Sequence, residues 1–253
     1  MCRMFGIVGD FQEAFPDLFN ALQDVARHDP LLELSGNEPP RHSDGWGYVS
    51  SSSGSLVHFR TANPIYNSGP IDPENGFFIA HARKASPSEP LGATNSHPYH
   101  ASDETMEVYL AHNGAFEKRG LADIIGIKET EDQTDSEFFL QLMMLQKGTL
   151  MQRLGGALGI IRQHRLLAGT PNLIVLGIRK DNGMPELLYY TAAPNSGVYT
   201  EYNRLYLVRG NGWTGVFSSS ITGSEFFPED TEKEVVRTGV ILSLDTRMAT
   251  ESK

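Results

Sequence analysis

The chain has 253 residues, 40% of them hydrophobic and 21% charged, with a net charge of −10. That is apolar enough for a sizeable core and excludes wholesale disorder. The acidity argues against nucleic acid or an anionic membrane surface as partner, because both are bound through Lys and Arg. The single cysteine makes no internal disulfide, no apolar run approaches a membrane span, and glycine breaks the N-terminus too early for a signal peptide. A cytoplasmic protein is therefore the expectation.

In chain order, residues 3–9 read as a short buried strand. Phe15, Leu18, Phe19, Leu22, Val25 and Ala26 recur at helical spacing and predict a helix over 16–28. Gly36, Pro39 and Pro40 mark a loop, after which Trp46–Ser50 and Leu56–Arg60 form two strands joined at Gly54. Phe77–Arg83 is a strand followed by a polar loop, and Met106–His112 is a strand ending at the turn dipeptide Asn113-Gly114. Thr134 opens a helix through Leu145, with Thr134 and Glu137 spaced as a capping box, and a further helix covers 149–166. Beyond Pro171, 173–179 with 187–191 and 205–208 with 216–219 read as hairpins, and 240–244 as a last strand. Strands lie on both sides of the helices without regular alternation, which predicts an α+β fold with largely antiparallel sheets in one domain spanning 1–253.

Cys2 is the first candidate for chemistry. If Met1 is removed, as a small second residue allows, Cys2 carries both a thiol and a free α-amine. The amine, with an ordinary pKa of about 7.7–8.0, can take the proton of a thiol whose own value is about 8.5. One residue then supplies nucleophile and base. Attack on an amide makes an oxyanion that needs aimed donors. Asn113 and Gly114 offer a side-chain amide and a backbone N–H at a strand end, and Arg83, also at a strand end, offers a guanidinium that grips a carboxylate in two places.

Six segments stand in order: Cys2-Arg3-Met4-Phe5-Gly6, Ser43-Asp44-Gly45-Trp46-Gly47, Ala80-His81-Ala82-Arg83-Lys84-Ala85-Ser86, Asn95-Ser96-His97-Pro98, His112-Asn113-Gly114 and Thr134-Asp135-Ser136-Glu137. Together they resemble class II glutamine amidotransferases of the N-terminal-nucleophile hydrolase superfamily. The pattern looks nearest the stand-alone branch that includes γ-glutamyl hydrolases of thiol metabolism. The resemblance implies a four-layer αββα sandwich of two antiparallel sheets. It implies Cys2 as nucleophile, Asn113 and Gly114 as the oxyanion hole, Arg83 on the substrate carboxylate and Asp135 on its α-ammonium. Ser86 and His97 would line the pocket, with Arg41, Asp44, Gly45 and Trp46 in support. Lys84, where other branches have an aromatic residue, and Pro87 depart from the wider pattern.

The substrate so implied is glutamine or a γ-glutamyl compound. Neither cofactor nor metal is called for: His97, His100 and His112 lack helical spacing and a second cysteine. An ammonia-accepting enzyme, if the ammonia is used, would be a separate polypeptide. Two other readings stay open on the residues: a papain-like pair of Cys2 with His97 or His112, and a non-catalytic subunit that only binds glutamine.

Overall fold

The computed structural model describes residues 2–87, 89–192 and 199–245. In chain order the elements are β1 (Arg3–Gly9), α1 (Phe15–Arg27), α2 (Pro30–Leu34), β2 (Trp46–Ser52), β3 (Ser55–Thr61), β4 (Gly76–Ala82), β5 (Tyr99–Ser102) and β6 (Met106–Asn113). They continue with α3 (Lys118–Ile125), α4 (Asp135–Leu145), α5 (Leu150–Gln163), β7 (Asn172–Arg179), β8 (Pro185–Thr191), α6 (Tyr199–Tyr202), β9 (Leu205–Gly210), β10 (Trp213–Ser218), β11 (Glu232–Val235) and β12 (Leu242–Leu244).

Two antiparallel sheets stack. One runs in the order β11-β9-β10-β1-β4-β2-β3, the other β12-β8-β7-β6-β5. The alternation of side chains along each strand builds three apolar layers. In β1, Phe5 and Ile7 point outward and join Phe15, Leu18, Phe19 and Leu22 of α1. Met4 and Val8 point inward, with Ile79 of β4, onto Tyr109, Ala111, Ile174 and Leu187 of the second sheet. The far face of that sheet, Val108, Leu110, Leu173 and Val175, packs on Phe138, Leu142, Leu154 and Leu158 of α4 and α5. Helices therefore cover both outer faces, and the expected α+β, four-layer αββα sandwich is the architecture. Among the described residues no helix is long and apolar enough to cross a membrane.

The caps follow local chemistry. Asp29 accepts from Leu31 N and Leu32 N at the start of α2, and Thr149 and Gln152 form a reciprocal capping box on α5. At α4 only half of the expected box forms. Thr134 caps Glu137 N, but the Glu137 carboxylate accepts from Gln133 instead. Gly148 at φ +96° and Gly126 at φ +75° follow helices in the left-handed conformation that glycine adopts without a Cβ clash.

Candidate active site

Alternation decides which groups meet between the sheets. Cys2 lies two residues before Met4 and so faces inward. On β4, His81 is opposite Met4 and Ala82 is opposite Arg3, which sets Arg83 opposite Cys2 on the same inward face. From the second sheet, Asn113 ends β6 in the inward register of Tyr109 and Ala111. Cys2, His81, Arg83 and Asn113 are each at most 7% exposed.

The chain carries Met1, so the nitrogen of Cys2 is here a peptide nitrogen. It donates to Asn113 Oδ1 at 2.8 Å. The opposite end of that amide, Nδ2, is buried with no hydrogen-bond partner among the described residues. The orientation is fixed by the network: a nitrogen that carries hydrogen, whether amide or amine, faces the oxygen, and the donor is left uncommitted. A buried uncommitted donor costs about 1–3 kcal/mol, a cost a site recovers when an anion forms there. Gly114, at φ +149°, continues from Asn113, and a Cβ there would stand 2.6 Å from Thr170 O and 2.7 Å from Pro171 Cα.

The thiol of Cys2 points at the Lys84 carbonyl, 3.6 Å away. Burial pushes the thiol up; the positive charge at the chain start and the His81 imidazole outweigh it and bring the thiol down to about 6. His81 Nε2 contacts the His112 carbonyl oxygen at 3.1 Å. Neither imidazole weighed from the sequence is the one at the sulfur. His112 turns toward the helices, with Nδ1 on Ser136 Oγ at 2.8 Å and its ring stacked on Phe116. His97 packs at a tilt against His81 at 4.2 Å between centroids, with both ring nitrogens buried and unpartnered among the described residues. His81 was quoted from the sequence only as part of a motif; its place beside Cys2 depends on strand register, which spacing along the chain does not reveal.

Arg83 is buried rather than a surface arginine, and its Nη1 donates to Pro90 O at 2.9 Å, folding the following loop back over it. Asp44 holds that loop as well: its Oδ2 accepts from Ala85 N at 2.8 Å, and its N donates to Arg83 O at 3.0 Å. Gly45 O accepts from Arg83 N at 2.9 Å. Ser96 and Thr61 crowd the place where a Cβ of Gly45 would be. Asp135 is already engaged, Oδ2 accepting from Phe116 N and Oδ1 from Ser136 N, each at 2.7 Å. Oδ1 also accepts from Ser136 Oγ at 3.2 Å, so the second lone pair of Oδ2 is the one left. Near it lies Glu89, half-buried with Oε2 unpartnered among the described residues, its carboxyl pushed up by burial and by Asp135.

Three more of the expected residues sit in surroundings of their own. Trp46 is in the core under α1, packed on Phe19 and Phe59, because β2 turns it to the outer face with Ala82. Arg41 is exposed, and its side chain makes no hydrogen bond or ion pair among the described residues. Ser86 is exposed in the turn it closes with Glu89. Arg3 is fully buried, and its Nε meets Asp29 Oδ2 at 2.6 Å. His42 also donates toward Asp29 Oδ2, at 2.9 Å.

Among the described residues no group of three or more His, Cys, Asp or Glu side chains converges as a metal site does. A cavity of about 990 Å³ lined by Asp103, Arg153, Arg179 and Lys180 opens at the Met106 end of β6. It is roughly 24 Å along the strand from Asn113, and its buried arginine is paired with Asp103.

No protein-family model matches the chain, and no curated protein matches it. Solved structures do. A glutamine phosphoribosylpyrophosphate amidotransferase from B. subtilis, complexed with ADP and GMP, superposes with a TM-score of 0.67 at 18% identity, covering 96% of this chain and 47% of its own. A structure described as the allosteric regulatory enzyme of purine biosynthesis gives 0.66 at 19% identity, covering 96% and 46%. The chain thus spans about half the length of these structures. At such identity the likeness is one of fold, the layered sandwich of two antiparallel sheets between helices.

Proposed function

We propose that the protein is an amidohydrolase that cleaves the γ-amide of glutamine to glutamate and ammonia, with Cys2, freed of Met1, as nucleophile. One observation carries the reading. The Asn113 amide holds the Cys2 nitrogen through its oxygen and keeps a buried, uncommitted N–H donor beside the sulfur. In this reading Cys2 Sγ attacks the γ-carbonyl carbon. Asn113 Nδ2 and the Gly114 N–H take the developing oxyanion, and the departing nitrogen leaves as ammonia with a proton from the α-ammonium of Cys2. Water then cleaves the γ-glutamyl thioester. Arg83 binds the substrate carboxylate, Asp135 its α-ammonium, and His97 lines the pocket from beneath His81. No cofactor enters these steps. The unpartnered Glu89 Oε2 and the loop folded over Arg83 support a γ-glutamyl peptide as the second substrate class. One domain over 1–253, a cytoplasmic site of action and an ammonia acceptor on a separate polypeptide belong to the same reading.

The experiment is glutamate release from glutamine and from a set of γ-glutamyl peptides, with intact mass measured on the same sample. Wild-type protein lacking Met1 is expected to turn over at least one of them, and Cys2→Ala to lose turnover while keeping its circular dichroism and melting temperature. Activity that persists in Cys2→Ala, or in chains that all retain Met1, ends the reading.

A further inference from the structure

We propose that His81 is a second catalytic base, accepting the thiol proton of Cys2 at Nδ1; the inference rests on Cys2 being the nucleophile. Three observations support it. Cys2 and His81 are diagonal neighbours on the inward face of adjacent strands, through the pairing of Met4 with His81. The tautomer is fixed by the opposite sheet. A carbonyl only accepts, so the 3.1 Å contact between Nε2 and His112 O puts the hydrogen on Nε2 and leaves Nδ1 with its lone pair. Nδ1 is buried and has no hydrogen-bond partner among the described residues, so its lone pair is uncommitted. The other polar group at the sulfur, the Lys84 carbonyl, orients the S–H but cannot take its proton.

The surroundings tolerate one added positive charge. The His97 ring packed against His81 is held neutral by burial, well below its ordinary range, and His112 is lowered to about 4 by burial. The other charges facing the pair are the chain start and Arg83; Tyr202 is the remaining titratable group in reach of Cys2, and burial pushes it up, so it stays neutral. The step balances internally. The S–H bond breaks, its electron pair stays on sulfur, and Nδ1–H forms. Sulfur then bonds the γ-carbon while the C–N bond breaks, and the leaving nitrogen takes its proton from the α-ammonium. In the second half, water gives a proton to the α-amine and its oxygen to the acyl carbon. The sulfur leaves and recovers its proton from His81.

The protein has one cysteine, so iodoacetamide alkylation followed against pH reads Cys2 alone. In wild-type protein the rate is expected to be half-maximal below the ordinary thiol value of about 8.5. In His81→Gln and His81→Asn the midpoint is expected to rise by about one pH unit or more; a midpoint that stays in place overturns the proposal. A measurement that leaves His81 intact guards against misfolding of those variants. Nuclear magnetic resonance of labelled histidine is expected to show different His81 protonation states in wild type and in Cys2→Ala. His81 in one and the same protonation state in both proteins overturns the proposal as well. These readouts separate the two hypotheses. A shifted thiol without glutamate release sinks the proposed reaction and spares the pair; glutamate release with an unshifted thiol in His81→Gln does the reverse.

Discussion

Asn113 does two jobs with one side chain, and that makes it the sharpest residue to change. Its oxygen ties the Cys2 nitrogen at 2.8 Å, and its nitrogen is kept dry and idle. Losing one oxyanion donor costs about 2.7–4 kcal/mol of barrier, or about 10²–10³ in kcat. Asn113→Ala is therefore expected to lower kcat by about that factor with little change in KM, as steady-state glutamate release would read. Arg83 should separate differently. It stands opposite Cys2, and under the proposed function its guanidinium binds the substrate carboxylate rather than the scissile bond. Arg83→Ala is expected to raise KM about tenfold or more, the cost of about 1.4 kcal/mol of lost charge-assisted binding, with kcat falling less. A kcat loss as large as that of Asn113→Ala would place Arg83 at the reacting atoms instead.

Between elements, the tie that fixes the start of β1 is an ion pair with no solvent around it. Asp29 accepts from Arg3 at 2.6 Å, His42 at 2.9 Å and Ser220 at 2.7 Å, and its other contacts cap α2. One carboxylate thus joins β1, α2, the loop before β2 and the segment after β10. The Arg3 guanidinium also lies 3.7 Å over the Tyr202 ring. Removing one partner of a buried pair strands the other and costs about 3–5 kcal/mol. Asp29→Ala is expected to lose about that much in urea unfolding, whereas a change under about 1 kcal/mol would mean that water or a neighbour already compensates Arg3. Nothing in the sequence announced this tie, because Arg3 and Asp29 become neighbours only once α1 has packed across β1. The same limit shows in the elements. Alternation and helical spacing found β1, α1, the β2–β3 pair and the two late hairpins within a few residues. They passed over β5 and α3, which are too short for a period to register, and β11, whose residues Glu232–Val235 are all exposed at a sheet edge. Cys2, Arg83 and Asn113 were legible as motif residues. The facing of His81 on Cys2 was not, since it depends on which strand pairs with β1 and in what register.

Over the whole molecule, three imidazoles are buried and neutral, and they set how the fold responds to acid. His42 lies under the first sheet with Asp29, His97 between the sheets and His112 toward the second helical layer. Burial lowers His42 to about 4 and His112 to about 4, and lowers His97 well below its ordinary range. An unfolded chain takes up these protons near pH ~6.5, and the folded one only near 4 or below. Between those values the unfolded state binds more protons. Stability therefore falls as pH falls through that window, by about 1.4 kcal/mol per pH unit for each imidazole. Asp29 acts lower on the scale. Burial raises it, but Arg3 and His42 hold its carboxyl far below the usual range, so its contribution is present above about pH 3.9 and is lost on further acidification. Against a total stability of about 5–15 kcal/mol, three such slopes acting together are expected to unfold the protein between roughly pH 4 and 5, in a transition steeper than one proton allows. Urea midpoints taken from neutral pH downward measure the slope directly. His112→Gln, which keeps a hydrogen bond to Ser136 but cannot charge, is expected to flatten the slope by about a third, one imidazole of the three. A midpoint that does not move across the window would mean that the three rings gain protons in the folded state as readily as in the unfolded chain, and so are not held neutral by burial.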